Sequence, residues 1–93
     1  MTRIDLDADA WRTRADFYAA LLPVIGAADW VGGNLDALFD AFAGNASRLP
    51  PYEIVVHGAA NMAAEELAYI RRAEAVFADA RLAFGQQVYL RIA

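Results

Sequence analysis

Residues 52–57, Tyr-Glu-Ile-Val-Val-His, decide the fold class of this 93-residue chain. The β-branched residues Ile54, Val55 and Val56 follow one another without the apolar/polar alternation of a strand that has one face in water. An unbroken apolar run of this kind predicts a strand buried on both faces, as in the middle of a parallel sheet. We therefore expect this segment to be the central strand.

Two further strands are expected near the two ends of the chain. Ile4 and Leu6 alternate with charged residues, and Val88 and Leu90 belong to a second alternation of apolar and polar residues. Because helical segments separate all three strands, parallel pairing through right-handed crossovers is predicted. The expected fold class is α/β, with a small three-stranded parallel sheet packed with helices in two layers. A single domain is expected over residues 1–93.

Helices are predicted both before and after the central strand in the sequence. Thr13 and Asp16 fit a capping box that begins a helix over about residues 14–22, and Pro23 is expected to end it by removing a backbone donor. Residues from Asn61 to Ala83 are mostly helix formers, and they predict either one long helix or two with a bend.

Composition limits the kinds of protein this chain can be. No apolar run approaches the roughly 20 residues needed to cross a bilayer, and the first residues lack the apolar core of a signal peptide, so we expect a cytoplasmic protein. Without cysteine, no disulfide, thiol nucleophile or cysteine-based metal site is available. The net charge of −4 argues against direct nucleic-acid binding and favours a basic protein partner.

The segment from Trp30 to Gly44, Trp-Val-Gly-Gly-Asn-Leu-Asp-Ala-Leu-Phe-Asp-Ala-Phe-Ala-Gly, predicts a short amphipathic helix. Asn34 fits an N-cap and Gly44 fits the residue that closes a helix, which leaves about ten helical residues. Asp36 and Asp40 are expected to lie side by side on a convex, exposed surface, separated from the apolar face. That apolar face comprises Leu35, Leu38, Phe39 and Phe42.

The acidic residues of this segment have no nearby counter-charge in the sequence, since no Lys or Arg occurs between Arg14 and Arg48. A solvated acidic helix face is the common interpretation of such a pair. A surface that binds a basic partner is the alternative. Trp30 likewise has two interpretations: a lid on the core, or an exposed aromatic contact beside the acidic face.

The string Gly-x-Asn-Leu-Asp-Ala-Leu-aromatic-Asp-Ala, preceded by an aromatic residue, resembles the signature of the barstar family of intracellular inhibitors of barnase-type ribonucleases. The match is ungapped at Gly32 and over residues 34–41. The resemblance implies the fold predicted above and the function of an inhibitor. We therefore expect no enzyme activity, no cofactor and no metal.

The resemblance also implies residue roles. Asp40 corresponds to the aspartate that dominates the family's interface with the nuclease, and Asp36 corresponds to a second acidic contact. Trp30 corresponds to an aromatic contact, and Asp79 to a glutamate of the last helix that also contacts the nuclease. The full set of candidate partner-binding residues is Trp30, Asn34, Asp36, Asp40, Gly44 and Asp79.

The sequence departs from the family pattern at Val31, Gly33 and Asn45, where barstars have an aromatic, an acidic and another aromatic residue. The expected partner is therefore a barnase-like extracellular ribonuclease or a ribonuclease toxin domain, bound by a protein that is monomeric when free. Two other hypotheses stay open. One is a protein-binding regulatory or toxin-immunity module with a different basic partner; the other is a small hydrolase that uses His57, at the predicted carboxyl end of the central strand, with a carboxylate.

Overall fold

The computed structural model describes residues 1–93 as three strands, three α-helices and two single 3₁₀ turns. The strands are β1 (Thr2–Asp7), β2 (Tyr52–His57) and β3 (Val88–Ile92). The helices are α1 (Arg14–Val24), α2 (Leu35–Ala41) and α3 (Ala64–Phe84). The 3₁₀ turns, Ala8–Ala10 and Ala59–Asn61, each follow a strand.

The strands form one parallel sheet in the order β1-β2-β3, as the uninterrupted apolar run of β2 predicts. Ile54 and Val56 belong to the main hydrophobic core, which lies between the sheet and the helices. Val55 is equally buried but lies outside that core, since successive side chains of a strand point to opposite faces. Its register neighbours on the outer face are Asp5 and Arg91. The predicted burial of β2 on both faces and the small α/β fold class are confirmed.

A buried hydrogen bond joins α1 to α3 within the helical layer. The hydroxyl groups of Tyr18 and Tyr69 lie 2.6 Å apart. Burial, followed by this hydrogen bond, raises the pKa of Tyr18, so its hydroxyl stays neutral in the core. Both polar groups are thereby satisfied, and no buried side-chain nitrogen or oxygen in the chain lacks a partner.

The bounds of α1 differ from the prediction at one end. The carboxylate of Asp16 accepts a hydrogen bond from the backbone N–H of Thr13 (3.1 Å), which confirms the capping box. The helix continues through Pro23 to Val24 instead of ending at about residue 22. Because Pro23 falls in the last turn, its missing donor removes only one bond near a terminus, and Gly26 at φ +67° follows the helix.

The long C-terminal helical segment is one helix, not two. α3 runs from Ala64 to Phe84, whereas Asn61 lies in the preceding 3₁₀ turn. Gly85 ends the helix at φ +66°, with its N–H bonded to the carbonyl of Arg81 at 3.1 Å. None of the helices combines the length and the apolar character that a bilayer crossing requires.

The connections before and after α2 are paired with each other. Ala27 and Ala46 form an isolated antiparallel bridge, and the N–H of Ser47 donates to the carbonyl of Gly26 at 2.8 Å. This pairing closes residues 28–45 at their base. We call residues 28–45 the α2 segment.

Candidate functional site

α2 is held in place by its buried side and by its N-cap. Leu38 and Phe42 are buried, and the ring of Phe42 packs edge-on against Phe77 with 4.9 Å between centroids. The side-chain oxygen of Asn34 accepts a hydrogen bond from the backbone N–H of Ala37 at 2.8 Å. The predicted N-cap at Asn34 is therefore confirmed.

The C-terminal end of α2 differs from the prediction. The helix ends at Ala41 after seven residues, so Gly44 is not the residue that directly closes it. The chain tightens instead, since the N–H of Phe42 bonds to the carbonyl of Phe39 (3.1 Å). The N–H of Asn45 then returns to the carbonyl of Ala41 (2.8 Å). Gly44 lies in this turn at φ +123°, a backbone conformation that favours glycine.

Gln86 also fixes the end of α2, a role that the sequence analysis did not identify. Its side-chain amide donates to the carbonyl of Phe42 at 2.7 Å. The bond supplies a partner to a carbonyl left free where the helix ends. A single amide-to-carbonyl contact between distant parts of the chain leaves no periodic pattern, so no local signal could have revealed it.

α2 and α3 border a shallow groove of about 710 Å³ that collects all three acidic candidate residues. We call it the acidic groove. It brings Asp36 and Asp40 of α2 to the same place as Asp79 of α3. Its lining comprises Leu35, Asp36, Phe39, Asp40, Val76, Asp79, Leu82 and Ala83.

The groove corrects two expectations about α2. Leu35 and Phe39 are only half-buried, and they line the groove together with Asp36 and Asp40. The apolar and acidic faces of α2 are therefore not cleanly separated, and the acidic surface is not simply convex. The cause is α3, which lies beside α2 and adds a second wall next to the carboxylates.

The carboxylates of the groove are not compensated within the molecule. Asp36, Asp40 and Asp79 are exposed, and none of them takes part in an ion pair. Arg81, the last arginine of α3, is engaged elsewhere: it donates to the carbonyl of Val88 (2.7 Å) and lies over the ring of Tyr89 (4.4 Å). The groove therefore presents negative charge of a single sign to solvent.

Trp30 and Gly33 occupy the approach to α2. Trp30 is 71% exposed and does not line the groove, so the interpretation as a lid on the core is wrong. A Cβ atom at Gly33 would lie 3.2 Å from Cδ2 of Tyr18, which is tighter than an ordinary contact. Close approach to the Tyr18 ring is thus a local reason for glycine at this position.

The only histidine and the only serine have separate structural partners. Nε2 of His57 lies 2.7 Å from Oδ1 of Asp5, and this hydrogen bond, with a further one from Arg3, holds the pKa of Asp5 below its usual value. The hydroxyl of Ser47 donates to the carbonyl of Gly26 at 3.1 Å. The two residues form no nucleophile–base pair, and no group of three or more His, Cys, Asp or Glu side chains is arranged to hold a metal ion.

Of the comparisons with known proteins, the one with family models gives a match. A search of the curated proteins finds no match to the chain. The family model described as barstar (barnase inhibitor) matches residues 1–92, which includes every strand and helix and the whole acidic groove. On that match, the chain belongs to the barstar family.

Proposed function

We propose that this protein is an inhibitor of a barnase-type ribonuclease, acting as one barstar-like domain that blocks the basic active site with α2. The observation that carries the proposal is the acidic groove, where three exposed carboxylates without ion pairs lie on two helices fixed to one core. The family supports it, since its members are described as barnase inhibitors.

The chemistry of the groove suits an active site that binds RNA. Such a site must hold phosphates with cationic side chains, so a set of carboxylates can occupy it in place of the substrate. Charge-assisted hydrogen bonds between guanidinium and carboxylate groups are among the stronger polar contacts in proteins. Because α2 is already anchored through Phe42 and Asn34, little conformational entropy would be lost on binding.

Each candidate residue has a role in the proposal. Asp40 makes the principal contact with the cationic centre of the nuclease, and Asp36 makes the second. Asp79 extends the acidic surface onto α3, and Trp30 supplies an exposed aromatic contact. Asn34 caps the start of α2, and Gly44 shapes the turn after it, so both support the segment that presents these side chains.

The test is a titration of barnase-type ribonucleases, barnase among them, with the purified protein. RNA cleavage should fall linearly to zero at one molecule of inhibitor per nuclease, and calorimetry should give the same stoichiometry. Binding without loss of cleavage would favour the regulatory module with a basic partner. No binding to any of these nucleases would contradict the proposal.

A His57→Ala variant separates inhibition from the hydrolase hypothesis. Since His57 lies outside the acidic groove, we expect the variant to inhibit as well as the wild type. Loss of inhibition in a folded His57→Ala protein would require a functional role for the histidine.

We further propose that the free protein is a monomer that acts in the cytoplasm of the cell that makes the nuclease.

A further inference from the structure

The C-terminal end of α3 carries exposed apolar side chains beside the carboxylates. Leu82 lines the acidic groove and is 87% exposed, and Phe84 is 38% exposed. The ring of Phe84 lies 5.2 Å from the ring of Phe39, which also lines the groove. We call Phe39, Leu82 and Phe84 the apolar rim.

A single exposed leucine is ordinary on a protein surface, but the apolar rim is not isolated. It continues the apolar part of the groove formed by Leu35 and Val76. Apolar surface joined to uncompensated charge in one depression is the composition of a protein-binding surface, in which apolar contacts exclude water around the polar ones.

The charge of the groove restricts what can cover the rim. A purely apolar segment would bury Asp36, Asp40 and Asp79 without cations, at a large cost in desolvation. A purely cationic surface would leave the rim in water. The complementary surface is a cationic one with an apolar or aromatic side chain directly beside the positive charge.

We propose that the apolar rim selects among basic partners, and that Leu82 is a specificity-determining contact for an apolar or aromatic side chain that flanks the partner's cationic site. The inference rests on the proposed function and adds to it a requirement that charge alone does not set. It predicts preference for those barnase-type ribonucleases that carry such a side chain at the edge of the active site.

Two substitutions at Leu82 distinguish an apolar contact from mere proximity to charge. Leu82→Ala removes apolar area at an exposed helical position and should weaken binding by about tenfold. Leu82→Glu adds a negative charge toward a basic partner. If Leu82 makes an apolar contact, binding weakens by at least as much as for Leu82→Ala; if only charge matters, binding becomes tighter.

The probe is catalytically inactive barnase, together with inactive forms of other barnase-type ribonucleases, with affinities measured by calorimetry on the intact chain. Leu49→Ala is the matched control, because Leu49 is 86% exposed and lies outside the groove, and its affinity should equal that of the wild type. Circular dichroism and melting temperature should be unchanged in all three variants.

The outcomes separate this inference from the proposed function. Wild-type affinity in Leu82→Ala, or tighter binding by Leu82→Glu, overturns the role of the rim. If binding still depends on Asp40 in that case, the inhibitor proposal stands. If no nuclease binds the wild-type protein, both proposals fail together.

Discussion

Two charged surfaces of this molecule are built in opposite ways. On the outer face of the sheet, the charges have partners: Asp5 lies 3.0 Å from Arg3 and is hydrogen-bonded to Nε2 of His57 at 2.7 Å, and Glu53 lies 3.5 Å from Arg91. In the acidic groove, three carboxylates face solvent without any cation of the same chain.

The difference separates charge that serves the fold from charge that is available to a partner. Exposed ion pairs contribute little to stability, about 0–1 kcal/mol each, but they cancel the potential of the sheet face. Asp36 and Asp40 instead repel each other by roughly 0.2–0.5 kcal/mol as an i,i+4 pair, and their potential extends into solvent. The fold tolerates this small cost because α2 is anchored from its buried side.

The largest effect is expected from removing a central carboxylate of the acidic groove. Asp40→Ala should weaken binding to the nuclease by at least about 2 kcal/mol, or about thirtyfold. This size is what single hot-spot residues show in protein interfaces, the barnase–barstar complex among them. The melting temperature should hardly change, because Asp40 is exposed and makes no ion pair.

The control for Asp40→Ala is Glu53→Gln on the sheet face. It also removes one negative charge from a chain of net charge −4, but it removes a charge that Arg91 already pairs. Calorimetry should find wild-type affinity for Glu53→Gln. Equal losses in the two variants would mean that net charge, and not the groove, drives binding.

The second expected effect is on the rate of association. Because the groove carries charge of one sign, the association rate with a basic nuclease should fall on the order of tenfold as salt rises from about 0.05 to 0.5 M. Stopped-flow fluorescence of the exposed Trp30 offers a signal. Neutralising Asp36 should weaken the salt dependence of the association rate, whereas Glu53→Gln should leave it unchanged. An association rate independent of salt would contradict electrostatic attraction by the groove.

A smaller effect is expected from loosening α2 itself. Asn34→Ala removes the acceptor for the N–H of Ala37 and should lower the free energy of unfolding by about 1 kcal/mol in urea denaturation. Asn34→Ser should recover most of the loss, since a serine hydroxyl can cap a helix. A variant that is as stable as the wild type would show that the cap does not hold α2.

The smallest effect is expected on the outer face of the sheet, in the pH dependence of stability. The hydrogen bond from His57, and then that from Arg3, hold the pKa of Asp5 below its usual value of 3.8. A lowered carboxyl pKa in the folded state stabilises the protein above the unfolded-state value, and that stabilisation is lost as the pH falls through the folded-state value. Asp5→Asn should therefore lose less stability than the wild type on acidification below pH 3.8, measured by urea unfolding; superimposable pH profiles would argue against this pairing.

Local sequence patterns predicted much of this fold. The run from Ile54 to Val56 indicated the central parallel strand, and Asn34 was identified as an N-cap from its position before an apolar helical repeat. The ends of the helices were predicted less accurately. Pro23 in a last turn costs one bond instead of ending α1, and Gly44 marks a turn beyond α2 instead of its end.

The acidic groove depends on information that no single segment contains. Val76, Asp79 and Ala83 are spaced at i, i+3 and i+7, so the sequence alone places them on one face of α3. That this face lies beside Asp36 and Asp40 is a matter of tertiary packing. The same packing explains why Gln86 was missed, since its side-chain amide acts on the carbonyl of Phe42 in a distant element.

The pairing of the connections on either side of α2 bears on which substitutions the fold tolerates. The N–H of Ser47 bonds to Gly26, and that of Arg48 bonds to Ile25 at 3.2 Å, so main-chain groups close the base of the α2 segment. Outward-facing side chains of the segment take no part in that closure. Substitutions there should therefore change the exposed surface of the segment while the protein still folds.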